Sequence, residues 1–427
     1  MTGLSTYANE THQQGDGETL KLASQRMRRL PPYLFERINK AKVALRRQNV
    51  DIIDLGMGNP NDPTPGIVVE KLREAAGLKK NQRYSVSRGI ENLRREYARF
   101  YERRFGVRLD PEDEIIACLG SKEGFSHLCL AVLGPGDLAL TPAPVFPIHL
   151  FGPIIAGAEA ISVPFEEKDE DMLRKIDALA KRLLPKPKVV ILNFPHNPTG
   201  RTVAKDFFRE VVRLAQRHEF HVIHDFAYGH TCFDGYRAPS FLEAEGASEV
   251  GVELGTLSKP YNMAGWRIGF AAGNRRMVSL LGDIKGYFDY GIFQAVQIAA
   301  IVALRECDDD IARQALVYEG RRDVLSGGLR ELGFEVEKPR AGMFVWAKIP
   351  EPYSGMGSMS WSLACLDKAR IVVSPGLGFG EEGEGWVRIA LTENEERLRQ
   401  ALRQLKAAFP LGAVSTGGGE TVNADRL

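Results

Sequence analysis

Lys259 lies in the run Gly255 to Phe270, Gly-Thr-Leu-Ser-Lys-Pro-Tyr-Asn-Met-Ala-Gly-Trp-Arg-Ile-Gly-Phe. Small hydroxyl residues, Thr256 and Ser258, precede the lysine, and Arg267 follows eight positions later in a glycine-flanked apolar stretch. An amine in that setting suits a Schiff base with an aldehyde, and the arginine suits an anchored phosphate. Pyridoxal phosphate requires both. Read alone, the run also fits a surface lysine in a turn before a strand.

Other stretches could complete such a site. Gly120-Ser-Lys-Glu-Gly124 precedes the apolar helical run Phe125 to Leu133, so amides at a helix start stand beside the Ser121 hydroxyl and the Lys122 amine. That is a natural phosphate cradle. It also reads as an ordinary cap, with Ser121 as N-cap and Gly124 as a packing glycine. Asp225, in Ile223-His-Asp-Phe-Ala-Tyr228, could pair with a pyridine nitrogen and let the ring withdraw electrons from a substrate carbanion. Tyr228, and Asn197 from the Asn193 to Gly200 loop, could donate to the ring's phenolic oxygen. A capping aspartate, a packed tyrosine and an Asn-Pro turn are the plain alternatives. Phe146 is a candidate ring to stack on the cofactor, and Tyr84 could offer its hydroxyl to a phosphate. Arg388 interrupts an apolar strand, which is costly unless the charge has a partner. A substrate carboxylate would serve, because a guanidinium binds it through two parallel hydrogen bonds, and a structural ion pair would serve too.

These residues need elements to position them. The 427 residues are 44% hydrophobic, enough for a large core and more than one domain. Val189 to Asn193 and Phe220 to His224 read as strands flanking a helix at 203–218, and Arg267 to Ala272 as a further strand. This alternation predicts an α/β protein with a largely parallel sheet, and chemistry at the carboxyl ends of the strands. After Cys307 come a long helix over Ala312 to Leu332, strands at Phe344 to Ile349 and Trp386 to Leu391, turn residues from Pro350 to Gly357, and a closing helix over Glu393 to Phe409. They describe a second, smaller α/β domain, with the basic helical stretch Leu30 to Asn49 packed beside it.

Composition excludes several classes. The 56 basic and 55 acidic residues nearly cancel, giving no broad field for nucleic acid or an anionic membrane. No apolar stretch reaches membrane-spanning length, and Met1 to Gly17 is polar rather than a secretory signal. The five cysteines have neither disulfide nor metal spacing, which fits a reduced, cytoplasmic setting. His218, His221, His224 and His230 raise a metal site, but His221 and His224 share a strand-like run where positions three apart face opposite ways. No metal is expected. Neither Walker nor Gly-x-Gly-x-x-Gly spacing is present, so ATP and NAD gain no support.

Together the segments Asp54 to Pro60, Tyr84 to Gly89, Gly120 to Gly124, Asn193 to Gly200, Asp225 to Tyr228, Thr256 to Phe270 and Ser374 to Phe379 resemble those of the fold-type-I pyridoxal-phosphate enzymes of aminotransferase class I/II. The nearest flavour is the bacterial glutamate–pyruvate (alanine) and LL-diaminopimelate aminotransferases. The resemblance runs from about Leu30 to Phe409. It implies a mostly parallel seven-stranded sheet in a large cofactor-binding domain at 56–306. It also implies a smaller α/β domain from 21–55 and 307–410, while composition gives a flexible arm at 1–20 and a disordered tail at 411–427.

By the same resemblance Lys259 would hold the cofactor and carry the proton, and Asp225 would pair with the pyridine nitrogen. Tyr228 and Asn197 would tune the phenolic side, and Phe146 would stack, although many relatives carry tyrosine or tryptophan there. Ser121, Lys122, Thr256, Ser258 and Arg267 would face the phosphate. Arg388 would clamp the substrate carboxylate, with Gly58 and Asn197 beside it. Tyr84 would reach the phosphate of the neighbouring subunit, implying a homodimer. The implied reaction is ping-pong transfer of an amino group between an amino acid and a 2-oxo acid, with alanine or glutamate and pyruvate or 2-oxoglutarate foremost. LL-diaminopimelate, or an aspartate, aromatic or methionine substrate, is the alternative. Asp283 to Gly291 offers no arginine for a distal carboxylate, which weakens a dedicated aspartate enzyme. A C–S β-lyase is the rival reaction on the same scaffold. The short stretch before the enzyme-like region leaves too little chain for a fused DNA-binding regulator.

Overall fold

The strand–helix–strand unit expected from residue 189 onward is present in the computed structural model, which describes residues 22–31 and 34–410. The N-terminal arm and C-terminal tail expected from composition lie outside these residues. Val189–Asn193 and His221–Asp225 are parallel neighbours, and Lys205–His218 is the helix between them. That helix buries Phe207, Phe208, Val211, Val212, Leu214 and Ala215 on one face, the three-to-four-residue spacing that an amphipathic helix requires.

Seven strands form the main sheet: β1 (Ile115–Cys118), β2 (Leu138–Ala143), β3 (Glu159–Pro164), β4 (Val189–Asn193), β5 (His221–Asp225), β6 (Gly251–Thr256) and β7 (Gly269–Gly273). Their spatial order is β1-β7-β6-β5-β4-β2-β3, and β7 alone runs against the others. Both faces are covered. Val190, Leu192 and Val222 join one core cluster, and Val189, Ile191 and Ile223 join the other. Strands buried on both sides must read as continuous apolar runs, and these do.

One expectation needs correcting. Arg267 is not a strand residue: it follows the short turn Ala264–Trp266 with φ +53°, and β7 begins two residues later at Gly269. A left-handed residue cannot continue a strand, so the arginine is turned out of the sheet at its edge.

This large sheet belongs to a compact unit built mainly from Asn59–Val317; a second unit comprises Pro32–Gly58, Tyr318–Pro339 and the chain from Met343. In the second unit β8 (Glu335–Val336), β9 (Phe344–Lys348), β10 (Ser374–Pro375) and β11 (Trp386–Ala390) form an antiparallel sheet in the order β10-β11-β9-β8. Ile53–Asp54 pairs with Ile371–Val372 in a separate parallel ribbon. The helix Phe35–Arg47 buries Ile38 with Ile52, Leu366 and Val372. The closing helix Glu395–Ala408 is capped by the Asn394 side chain, which accepts from the Arg397 amide. The long helix is Asp308–Glu331, and the stretch expected as turn holds a short helix, Glu351–Ser354, started by Pro350. Among the described residues no helix is long and apolar enough to cross a membrane.

One buried cation ties helices of the first unit together. Lys285, on the helix Arg275–Phe288, has a wholly buried side chain, and its Nζ lies 3.0 Å from both Glu123 Oε1 and Asp289 Oδ2. Burial opposes its charge, but the carboxylates of Glu123 and Asp289 outweigh that cost and hold the ammonium above the ordinary lysine range. The contribution is therefore fully present at neutral pH and is lost only as pH rises through that elevated value. Removing one partner strands the other charges in a dry setting. Lys285→Met is expected to lower unfolding free energy by about 2–3 kcal/mol in a urea titration. A change under ~0.5 kcal/mol would show that the ammonium is not holding the two carboxylates.

Candidate active site

Strand register lines up the candidate residues along one edge of the large sheet. Asn193 pairs with Asp225, Thr256 with Gly269, and Gly269 with Cys118. Because β7 is reversed, its start lies beside the carboxyl ends of β1 and β6, so the turns carrying Ser121, Arg267 and Lys259 all leave from this edge.

The helix Ser121–Val132 begins here. Gly120, at φ +86°, is its N-cap, with no side-chain cap. Ser121 is thus the first helical residue rather than the cap. Gly124 is the packing glycine, since a Cβ there would stand 2.7 Å from Cys118 Sγ. The first helical amides have no carbonyl partner within the helix, and together with the macrodipole they favour an anion. A Cβ on Gly120 would run into the Arg267 guanidinium, so glycine keeps this space open. Arg267 is exposed, and its Nη1 donates to the Ala264 carbonyl at 3.0 Å. Uncapped amides, a guanidinium and a hydroxyl are the donor set that a phosphate group needs, so the residues present fit pyridoxal phosphate at that end.

The turn into Lys259 is held by hydroxyls. Thr256 Oγ1 accepts from the Ser258 amide at 3.1 Å and lies 2.9 Å from Ser258 Oγ, both residues being buried. Lys259 itself is half-buried. Lys122 is exposed, with its Nζ 5.9 Å from the Phe146 ring centre.

Asp225 is 8% exposed at the end of β5, with Oδ1 accepting from the Ala227 amide at 3.2 Å. Its Oδ2 lies 2.9 Å from Nε2 of His149, a buried histidine on the helix Pro147–Ala156. Phe125 and Phe146 meet the His149 ring edge-on at 5.1 and 5.6 Å. His149 escaped the sequence reading. Its signal was a lone titratable group in an otherwise apolar helix, which must find a partner. Asn193 was also missed. Its Nδ2 donates to the Asp225 carbonyl at 2.7 Å while its Oδ1 accepts from the Asn197 amide at 2.9 Å, joining two expected site residues. Asn197 and Tyr228 are both buried, with Asn197 Nδ2 3.5 Å from the Tyr228 hydroxyl. In the same loop His196 is pushed well below the ordinary histidine range, by burial first and then by His149 and Arg201, so it is neutral at physiological pH.

In the second unit, Arg388 on β11 is buried between aromatic rings, its guanidinium carbon 4.0 Å from the Phe344 centre and 4.7 Å from that of Phe379. Its Nη2 donates to the Gly56 carbonyl at 2.8 Å. A Cβ on Gly58 would stand 2.5 Å from Phe344 Cζ, so glycine lets that ring stay against the guanidinium. Tyr84, in the first unit, is 86% exposed and tilts against Tyr290 at 5.0 Å.

The four clustered histidines have separate surroundings. His218 pairs with Asp177, His221 is exposed, His224 pairs with Glu253, and His230 packs among Phe100, Phe105 and Phe226. Among the described residues, the one group with metal-like spacing is Glu123, His127 and Asp289. The Lys285 ammonium bridges its two carboxylates, so the positive charge they need is already supplied.

Comparison with known proteins agrees with this geometry. The profile of the family described as aminotransferase class I and II matches residues 50–405. The chain is 50% identical over 387 residues to glutamate-pyruvate aminotransferase AlaC of Escherichia coli (strain K12), covering 90% of this chain and 93% of that one. It is 42% identical over 383 residues to LL-diaminopimelate aminotransferase of Moorella thermoacetica, covering 90% and 97%. Among solved structures, substrate-bound BacF from Bacillus subtilis matches with a TM-score of 0.84 at 36% identity, covering 90% of this chain and 97% of that one. A mostly parallel sheet with one reversed strand, a lysine turn and a phosphate-fitting helix start at its edge, and matches across nine-tenths of the chain place this protein in the class I and II aminotransferases, as a fold-type-I pyridoxal-phosphate-dependent enzyme.

Proposed function

We propose that this aminotransferase exchanges the amino group between alanine or glutamate and pyruvate or 2-oxoglutarate in a ping-pong reaction. The observation that carries the substrate reading is the 50% identity, over 90% of the chain, to a glutamate-pyruvate aminotransferase. LL-diaminopimelate is the second reading, supported by the 42% identity to an aminotransferase of that name.

When bound, pyridoxal phosphate supplies an aldehyde that joins amines and a ring that withdraws electrons from the substrate's α-carbon. The chain's residues then have distinct tasks. Lys259 Nζ would hold the aldehyde and would move the proton at the substrate's α-carbon. Asp225 would pair with the pyridine nitrogen and favour its protonated form, with His149 orienting the carboxylate. Tyr228 and Asn197 donate to the phenolic oxygen, and Phe146 covers a ring face. The amides at Ser121 and Lys122, the hydroxyls of Ser121, Thr256 and Ser258, and Arg267 hold the phosphate. Arg388 takes the α-carboxylate of the substrate. Phe344 and Phe379 keep its guanidinium plane fixed and dry, which strengthens a two-pronged bond to a carboxylate. Gly58 leaves room for the Phe344 ring beside that guanidinium.

A homodimer is part of this reading. Tyr84, Tyr287, Phe288 and Tyr290 are large and more than half exposed, an apolar surface that a second copy would cover. Tyr84 then reaches the partner's phosphate group. All five cysteines are free thiols, in keeping with a cytoplasmic enzyme.

The cofactor-loaded protein should change its near-ultraviolet and visible absorbance on titration with alanine or glutamate at lower concentrations than with aspartate, methionine or LL-diaminopimelate. Strongest conversion by LL-diaminopimelate would replace the substrate assignment. Release of ammonia and pyruvate from cystathionine without conversion by any of them would replace transamination with β-elimination. Lys259→Ala should lose the lysine-linked cofactor band and at least about 10²–10⁴-fold in turnover; near-normal transamination would end the assignment of that lysine. Arg388→Lys keeps the charge but loses the planar fork, so KM for the amino acid should rise about 10–100-fold in steady-state kinetics. An unchanged KM would mean that Arg388 is structural.

A further inference from the structure

Behind the sheet edge, a dry carboxylate–imidazole pair has no assigned part in the chemistry. Glu253 on β6 and His224 on β5 are both fully buried and stand opposite each other in register. Glu253 Oε1 accepts from the Tyr101 hydroxyl at 2.5 Å and the Ser240 hydroxyl at 2.6 Å. Its Oε2 accepts from the Phe241 amide at 2.7 Å and lies 2.8 Å from His224 Nδ1. Four donors, two on each oxygen, are what an ionised, acceptor-only carboxylate takes in a dry core. Burial and this neighbouring carboxylate push the Tyr101 phenol well above its ordinary range, which keeps it a donor.

The arrangement dictates what the imidazole can do next. With the Nδ1 proton directed to Glu253, Nε2 of a neutral ring is an acceptor, and the Phe194 amide donates to it at 3.2 Å. A doubly protonated ring would instead donate to the Phe194 carbonyl, also 3.2 Å away. Either way the ring grips the backbone of Phe194, the first residue after β4. Three residues on, Asn197 presents its amide to the Tyr228 hydroxyl. Asn193 holds the Asn197 amide from one side, and His224 holds the start of the same loop from beneath.

We infer that Glu253 and His224 are positioning residues for the reaction: Glu253 orients the imidazole, the imidazole fixes the Phe194 backbone, and that backbone sets where Asn197 offers its side chain. The inference rests on the reading that Asn197 donates to the cofactor's phenolic oxygen. Neither residue touches the cofactor, because His224 points away from the face on which its neighbour Asp225 meets His149.

The test uses the cofactor-loaded enzyme and follows cofactor absorbance against pH, melting temperature, kcat and KM. Asn197→Ala gives the reference: losing a donor to an anionic oxygen raises the pH midpoint of the absorbance change. His224→Asn places an amide where Nδ1 was, keeping Glu253 satisfied, but cannot reach Phe194. Its midpoint should rise in the same direction, with kcat falling about 5–10-fold and KM little changed. His224→Gln, whose amide reaches the Nε2 position, should restore the midpoint. Ser240→Ala removes another Glu253 donor and should lower melting temperature with the midpoint in place.

If His224→Asn behaves as Ser240→Ala does, losing stability alone, the positioning role is overturned. If His224→Asn does not fold, His224→Ala serves: it leaves room for a water on Glu253 but nothing that reaches Phe194, so the same rise is expected, and an unmoved midpoint overturns the role. If Asn197→Ala leaves the midpoint unmoved, the reading of Asn197 has failed, and amide hydrogen exchange over 194–200 decides the positioning claim. Exchange faster in His224→Asn than in Ser240→Ala upholds it, and equal exchange overturns it.

Discussion

Burial of the large sheet on both faces is the constraint from which the site follows. Strands such as Val189–Asn193 pack apolar clusters above and below, so they have no solvated face on which to carry polar residues. Polar side chains therefore gather where the strands end. Parallel pairing sets those ends side by side, and the reversal of β7 brings the turn before Gly269 to the same edge. Four segments distant in sequence thus deliver a helix start, a lysine turn with its arginine, an aspartate and an asparagine loop to one rim.

Several ionisable groups that enter the interior are given partners. Asp225 meets His149, Glu253 meets four donors, and Lys285 meets two carboxylates. Leaving any of these unpaired in a low-dielectric core would cost more than a surface ion pair returns. The pairs also transmit order. Glu123, held by Lys285, accepts from the Leu119 amide at 2.7 Å just before the phosphate-fitting helix start, and Asn193 couples Asp225 to Asn197. Precision at the rim is set by hydrogen bonds one layer back.

The second unit solves a different problem with similar means. A guanidinium on an apolar strand is kept between two aromatic rings and a backbone carbonyl, which fixes its plane. Glycine at position 58 is explained by the ring it makes room for.

Much was legible from local sequence. Strand and helix periodicity located the β4–helix–β5 unit to within a residue or two, and the Lys259, Asp225 and Gly120 segments could be singled out as candidates because each motif is contained in a few consecutive residues. Other features depend on which distant residues meet. His149 and Asp225 are 76 positions apart, and His224 and Glu253 are 29 apart; only strand register and helix packing bring each pair within hydrogen-bond reach. Arg267 looked like a strand residue because its neighbours are apolar, and only its left-handed backbone shows that it turns out at the edge. Residue types and their spacing carried the α/β class and the cofactor chemistry, since those depend on short-range periodicity and functional groups. The partners of the buried charges, and the order in which the loops share one rim, were decided by the tertiary fold, because they depend on contacts between segments that no local pattern encodes.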